Sequence, residues 1–128
     1  MTDAGPTENP GPDAAWAEAL AAGRFLIQRC GVCGAAQWPL ALVCRACGAP
    51  EPALVDATGR GTVHATTVVR DRASDYNVCL IDLAEGPRLM ARVETIAPEA
   101  VTIGMAVRAR IAAGEPPVLV FDPMVEAG

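Results

Sequence analysis

Residues 30–48 read CGVCGAAQWPLALVCRACG, two Cys-x-x-Cys-Gly units whose cysteine pairs are separated by ten residues. In each unit the pair spacing turns backbone N–H groups toward sulfur, and the following glycine, Gly34 or Gly48, permits the positive φ that lets the chain leave the turn. Cys30, Cys33, Cys44 and Cys47 are four of the five cysteines. Together they complete a tetrahedral metal site of the zinc-ribbon kind. Four thiolates leave no coordination position for water or substrate, so the expected role is structural, with one zinc ion as the cofactor and iron the competing ion in the same geometry. Two equivalent pairs with no βαβ pattern around them argue against a thioredoxin-like redox centre.

Upstream, residues 1–12 are rich in proline and glycine and are expected to be a disordered tail. A short helix is expected over 14–22, capped by Asp13, carrying Trp16, Ala19 and Leu20 on one face and stopped by Gly23. Under about 12 residues, such a helix is marginal alone and has to dock on its own domain or on a partner.

Downstream, five β-rich segments at 61–70, 78–84, 88–95, 105–111 and 118–122 are separated by turn formers. Short links such as Glu85-Gly86-Pro87 make the strands antiparallel. Five short strands gain most by closing into a Greek-key OB barrel, and an open sheet against the helix is the alternative. Alternation puts Cys79, Ile81 and Leu83, Leu89, Ala91 and Val93, and Val107, Ala109 and Ile111 inside. The opposite parity carries Arg88, Arg92, Arg108 and Arg110, a locally positive surface unless solvated in the ordinary way.

The expected fold is therefore mainly β: a tail at 1–12, helix and lead-in at 13–27, a rubredoxin-like zinc ribbon at 28–52, an OB barrel at 53–123 and a tail at 124–128. A chain of 128 residues holds one domain, or one with a small appended module. No segment approaches the roughly 20 apolar residues of a membrane span, and the N-terminus lacks signal-peptide features. The expected compartment is the cytoplasm, where reduced thiols favour metal over disulfide, and no membrane partner is expected. A net charge of −5 argues against nucleic-acid binding. All ten basic residues are arginine, as a GC-rich genome would produce.

Catalytic candidates are sparse. Cys79 reads as a buried thiol rather than a nucleophile, because nothing nearby lowers its pKa. His64 lacks a nucleophile and an orienting carboxylate in its neighbourhood of the sequence. The polar loop at 71–77 offers one aromatic anchor, Tyr76.

With its aromatic-anchored helix, the stretches AGRFLIQRCGVCG, WPLALVCRACG, GRGTVHATTVV, EGPRLMARVE and IGMAVRARI, over residues 13–122, the chain resembles the zinc-ribbon OB-fold proteins of the acyl-CoA-associated domain-of-unknown-function 35 family. The resemblance implies a non-catalytic accessory or scaffold subunit of an acyl-CoA-processing complex. Its partner would be a thiolase-like enzyme or a MaoC-like hydratase, which would hold the catalytic residues. On that basis Trp16, Leu20, Trp38, Pro39, Leu40 and Tyr76 are the candidate partner contacts, and Arg24, Arg29 and Arg45 the candidate CoA or phosphate contacts. Where the family often has Pro-Pro-Arg between the knuckles, this chain has Pro39-Leu40-Ala41, so that arginine's phosphate contact is missing. The alternative reading, a nucleic-acid-binding OB fold, needs a basic groove with stacking aromatics, and only Tyr76 and Phe121 fall in the barrel.

Overall fold

The computed structural model describes residues 11–124; of the tails expected at 1–12 and 124–128, residues 1–10 and 125–128 lie outside them, while Pro12 already begins a helix and the Met124 N–H donates to Ala106 O. The chain divides into two compact units, one ending at Asp56 and the other beginning at Ala57.

In the N-terminal unit, helix α1 spans Pro12–Ala21. It starts before the expected cap: Gly11 is the N-cap, in extended conformation, and no side chain caps the helix. Proline explains the shift, since its fixed φ and missing N–H suit the first turn. Asp13 instead lies inside that turn, where its charge favours the helix dipole. The stop is at Gly23 as expected. Its φ of 85° allows the Gly23 N–H to reach Leu20 O and the Arg24 N–H to reach Ala19 O, the paired bonds of a Schellman end.

Strands β1 (Leu26–Arg29), β2 (Ala36–Gln37) and β3 (Ala53–Asp56) form an antiparallel sheet in the order β2-β1-β3. Central β1 buries Leu26, Ile27 and Gln28, and with Leu20, Phe25 and Leu40 these make the small core. β3 pairs with β1 in this sheet, although residues 53–56 follow the expected barrel start at 53.

The C-terminal unit holds β4 (Arg60–Val69), β5 (Tyr76–Leu83), β6 (Arg88–Ala91), β7 (Ala106–Ala112) and β8 (Val118–Pro123), all antiparallel in the order β6-β5-β4-β7-β8. This is the expected five-stranded OB connectivity. The ladder is not continuous between β6 and β8. Instead of running to 95 beside β5, the chain leaves it after Ala91, and a parallel bridge of Val93 to Phe121 spans the gap. Two backbone bonds hold that bridge, Phe121 N–H to Arg92 O and Glu94 N–H to Phe121 O. Of the interior expected from alternation, Cys79, Ile81, Leu83, Leu89, Val93 and Val107 are buried, whereas Ala91, Ala109 and Ile111 are only partly covered; Val63 and Phe121, which that pattern did not include, complete the core at 1% and 0% exposed.

Candidate metal centre and its surroundings

The two knuckles bring their sulfurs to one point. Cys30 and Cys47 Sγ lie 3.6 Å apart, as do Cys33 and Cys44 Sγ, and all four sulfurs fall within 4.8 Å of one another. A tetrahedral ion with metal–sulfur bonds of about 2.3 Å requires sulfur separations of about 3.8 Å. The observed cage therefore fits such an ion. In the first knuckle the amides of Val32 and Cys33 approach Cys30 Sγ at 3.3 and 3.4 Å, and in the second the Ala46 amide approaches Cys44 Sγ at 3.4 Å. Gly34 and Gly48, with φ of 80° and 83°, close the two turns.

The electrostatics call for a cation. The amides of Cys33 and Val32 draw the Cys30 thiol down to about 6. Cys44 is likewise lowered, by the amides of Cys47 and Ala46. The Ala49 amide acts to lower Cys47 too, but the sulfurs of Cys30, Cys33 and Cys44, together with burial, push it up to about 12. A cage that ionises one sulfur readily and resists ionising the last is one whose negative charges need a metal between them.

The loop between the knuckles hangs on two buried glutamines. Gln28 accepts the Ala41 N–H through Oε1 and donates to Ala41 O through Nε2, both at 2.8 Å. Gln37 donates from Nε2 to Gln28 Oε1 at 2.9 Å and to Val43 O at 3.1 Å, and accepts the Arg45 N–H at 2.8 Å. Gln37 was not singled out from the sequence. Its only sequence signal is polarity beside an apolar run, which does not reveal the carbonyls it will meet.

Of the expected partner contacts, Leu20 and Leu40 are buried in their own unit, so they support its surface from beneath rather than presenting themselves. Trp16 and Trp38 are half-buried and pack edge to face at 5.6 Å, which fastens α1 to the knuckle loop. Pro39 is exposed, and beside the loop Leu42 is 75% and Leu54 50% exposed. Leu40, Leu42 and Leu54 help to line a surface cavity of about 210 Å³. Tyr76 lies in the C-terminal unit under Arg92, whose guanidinium sits 4.0 Å from the ring centroid.

The expected phosphate contacts divide. Arg24 is held bidentately by Asp56 at 3.1 Å, and Arg29 donates to Gly34 O at 2.9 Å. Arg45 forms no side-chain hydrogen bond among the described residues. The positive surface expected in the barrel is largely neutralised: Arg88 pairs with Asp82, and Arg110 with Asp122 and Glu94.

No catalytic constellation assembles among the described residues. Arg88 lies 3.3 Å from His64 Nδ1, and an arginine can only donate, so Nδ1 accepts in that contact. Asp82 is 3.6 Å from the same nitrogen, but no hydroxyl or thiol nucleophile is hydrogen-bonded to the ring. Cys79 is fully buried, with Sγ 3.2 Å from Thr66 Oγ1.

Residues 17–53 match the rubredoxin-like zinc ribbon domain of ChsH2, and residues 54–112 match the ChsH2 C-terminal OB-fold domain. Among solved structures the chain is similar to one described as the Ltp2-ChsH2(DUF35) aldolase, with TM-score 0.79 and 34% identity over 94% of this chain and 99% of that one. The chain belongs to the DUF35 family. A DUF35 protein of unknown function from Sulfolobus solfataricus shares the fold, with TM-score 0.66 and 16% identity over 93% of this chain and 90% of that one. Two further relatives are longer. A probable enoyl-CoA hydratase alpha subunit of Thermomonospora curvata is 35% identical over 100 residues, 74% of this chain and 31% of that protein. A DUF35 domain-containing scaffold protein of Methanocaldococcus jannaschii is 31% identical over 88 residues, 63% of this chain and 62% of that protein. The chain thus spans less than two thirds of the length of either.

Proposed function

We propose that this DUF35 chain is a non-catalytic accessory subunit of an acyl-CoA-processing complex, docking on a thiolase-like or hydratase enzyme and helping to stabilise its thioester site. The observation that carries this reading is the near end-to-end likeness to the DUF35 chain of an aldolase complex. The relatives named as a hydratase subunit and as a scaffold protein point the same way. The closed cage of four sulfurs and the lack of a nucleophile beside His64, among the described residues, agree with chemistry performed elsewhere.

In this reading Cys30, Cys33, Cys44 and Cys47 hold one zinc ion, whose contribution is to fix the two knuckles rather than to polarise a substrate. Arg45, the one unengaged member of the three arginines beside the knuckles, is the remaining candidate for a phosphate contact. The docking face is formed by Pro39 and Leu42, with Trp38 and Leu40 holding it from behind. Exposed apolar side chains on so small a unit are the ordinary mark of an interface.

Co-expression with a thiolase-like or MaoC-like enzyme encoded beside this chain tests the proposal. The enzyme is expected to co-purify with it in fixed ratio and to lose stability when it is omitted. Leu42→Asp should weaken that retention, and an enzyme that is stable, active and unbound without this chain rules the reading out.

A further inference from the structure

Ten arginines are distributed over the chain, and most are tied to a carboxylate, a carbonyl or a ring. Two stand apart in how the sheet places them. Arg60 on β4 and Arg108 on β7 lie directly opposite each other in the antiparallel register. Their chain neighbours Gly61 and Val107 are buried, so both arginines are on the outer face, where both are exposed. Directly opposed side chains in a sheet have Cβ atoms about 5 Å apart, and like charges so placed repel.

The surroundings do not relieve that repulsion. Asp122, the residue opposite Arg108 on β8, gives Oδ2 to Arg110 Nε at 2.7 Å and Oδ1 to the same guanidinium at 3.1 Å. Asp56, the carboxylate nearest in the chain to this end of β4, is held by Arg24, and Glu85, in the turn after β5, accepts the Thr58 N–H through Oε2. Neither Arg60 nor Arg108 forms an ion pair among the described residues. The side chains around them are small or hydroxylated: Thr62 and Ala106 face each other in the next outward position, and Ala84, whose N–H donates to Arg60 O, flanks the other side. Arg108 also helps to line an open cavity of about 470 Å³, together with Arg110, Asp122 and Met124.

We propose that Arg60 and Arg108 form a seat for a phosphate group of a phosphorylated small molecule on the outer face of the barrel. Two guanidinium forks carried at opposed positions on adjacent strands can match the several oxygens of one phosphate, and the bound charge removes the repulsion that the free protein carries. Lysine would supply charge without the fork. The seat does not depend on the accessory-subunit reading, because its arginines belong to β4 and β7 of the C-terminal unit and none of the residues of the proposed docking face takes part in it.

The test uses full-length protein with inorganic pyrophosphate, CoA and AMP, followed by amide chemical-shift mapping and calorimetry at low and high salt. Shifts should centre on residues 60, 62, 106 and 108, and affinity should fall as salt rises. Arg60→Gln or Arg108→Gln should each weaken binding by about tenfold. Arg72→Gln, in the loop after β4, should leave it unchanged. Tighter binding of CoA than of the other two marks a thioester carrier as the source, and equal binding marks a general phosphate seat. Without ligand, both glutamine variants should melt no lower than the parent, since each removes a like-charge contact. Absence of shifts at these residues, unchanged affinity in both variants, or an equal loss in Arg72→Gln would overturn the proposal. Co-purification with the partner enzyme should survive both substitutions, which separates a failure here from a failure of the accessory reading.

Discussion

At the scale of single residues, Gln37 ties the ribbon loop through three hydrogen bonds, to Gln28, Val43 O and the Arg45 N–H. Gln37→Ala would remove the acceptor of the Arg45 N–H and the donor to Gln28 and Val43 O at once. Each buried polar group left unpaired costs about 1–3 kcal/mol, so a loss of about 3 kcal/mol is expected. Both tryptophans, Trp16 and Trp38, lie in this unit, so a lowered denaturation midpoint by tryptophan fluorescence checks it. In the other unit, a hydrogen bond from Arg70 and then the Asp71 N–H hold Asp75, and hydrogen bonds from Arg88 hold Asp82, below the ordinary carboxylate value of 3.8. Carboxyls depressed in the folded state stabilise it fully above 3.8 and lose that contribution as pH falls through the lower folded values. The acid limb of stability, followed by amide exchange in β5, should therefore become shallower in Asp82→Asn. The cysteine site was legible in the sequence because ligand spacing is itself the geometric constraint. The glutamines were not, since their partners are backbone groups that only the folded loop supplies.

At the scale of elements, the barrel strands were legible because one face of each is buried, and burial imposes a period of two. β5 alternates without a break over its whole length. The ribbon strands were missed as strands: β2 has two residues and β1 and β3 four each, too short for a period to emerge. The helix start was misplaced because a proline at the first turn competes with an aspartate as a signal, and here proline prevails. Where β4 meets β5, packing is close enough to predict a cost. A Cβ at Gly61 would sit 2.6 Å from Ile81 Cγ2 and 3.1 Å from Asp82 O, both on the partner strand. Gly61→Ala should therefore destabilise the barrel by about 1–3 kcal/mol, the usual range for overpacking. The midpoint of far-UV circular dichroism should fall, while tryptophan fluorescence reports little change. An unaffected midpoint would mean that the two strands separate at little cost.

At the scale of the whole molecule, the two units keep their structure by different means. The C-terminal unit has a core of eleven buried apolar side chains, among them Phe121, Ile81, Val63 and Val107, and no residue of the four-cysteine cage. The N-terminal unit ends at Asp56 and, among the described residues, buries the apolar side chains Leu20, Phe25, Leu26, Ile27 and Leu40 besides Cys30 and Cys44. A unit with so few buried apolar side chains gains from a metal, a disulfide or a partner, and a structural zinc supplies its binding energy as folding energy. Removing the metal with a strong chelator should therefore act on one unit only. The emission of Trp16 and Trp38 should move to the red as their edge contact is lost, and Cys33→Ser should give the same spectrum without chelator. Slowly exchanging amides of β4, β5 and β7 should persist through the treatment, and restoring zinc should restore the emission. If both units melted in one transition on chelation, their cores would be one cooperative structure. If neither changed, the sulfur cage would be ornamental to the ribbon, and the loop bearing Pro39 and Leu42 would have to be held by Gln28 and Gln37 alone.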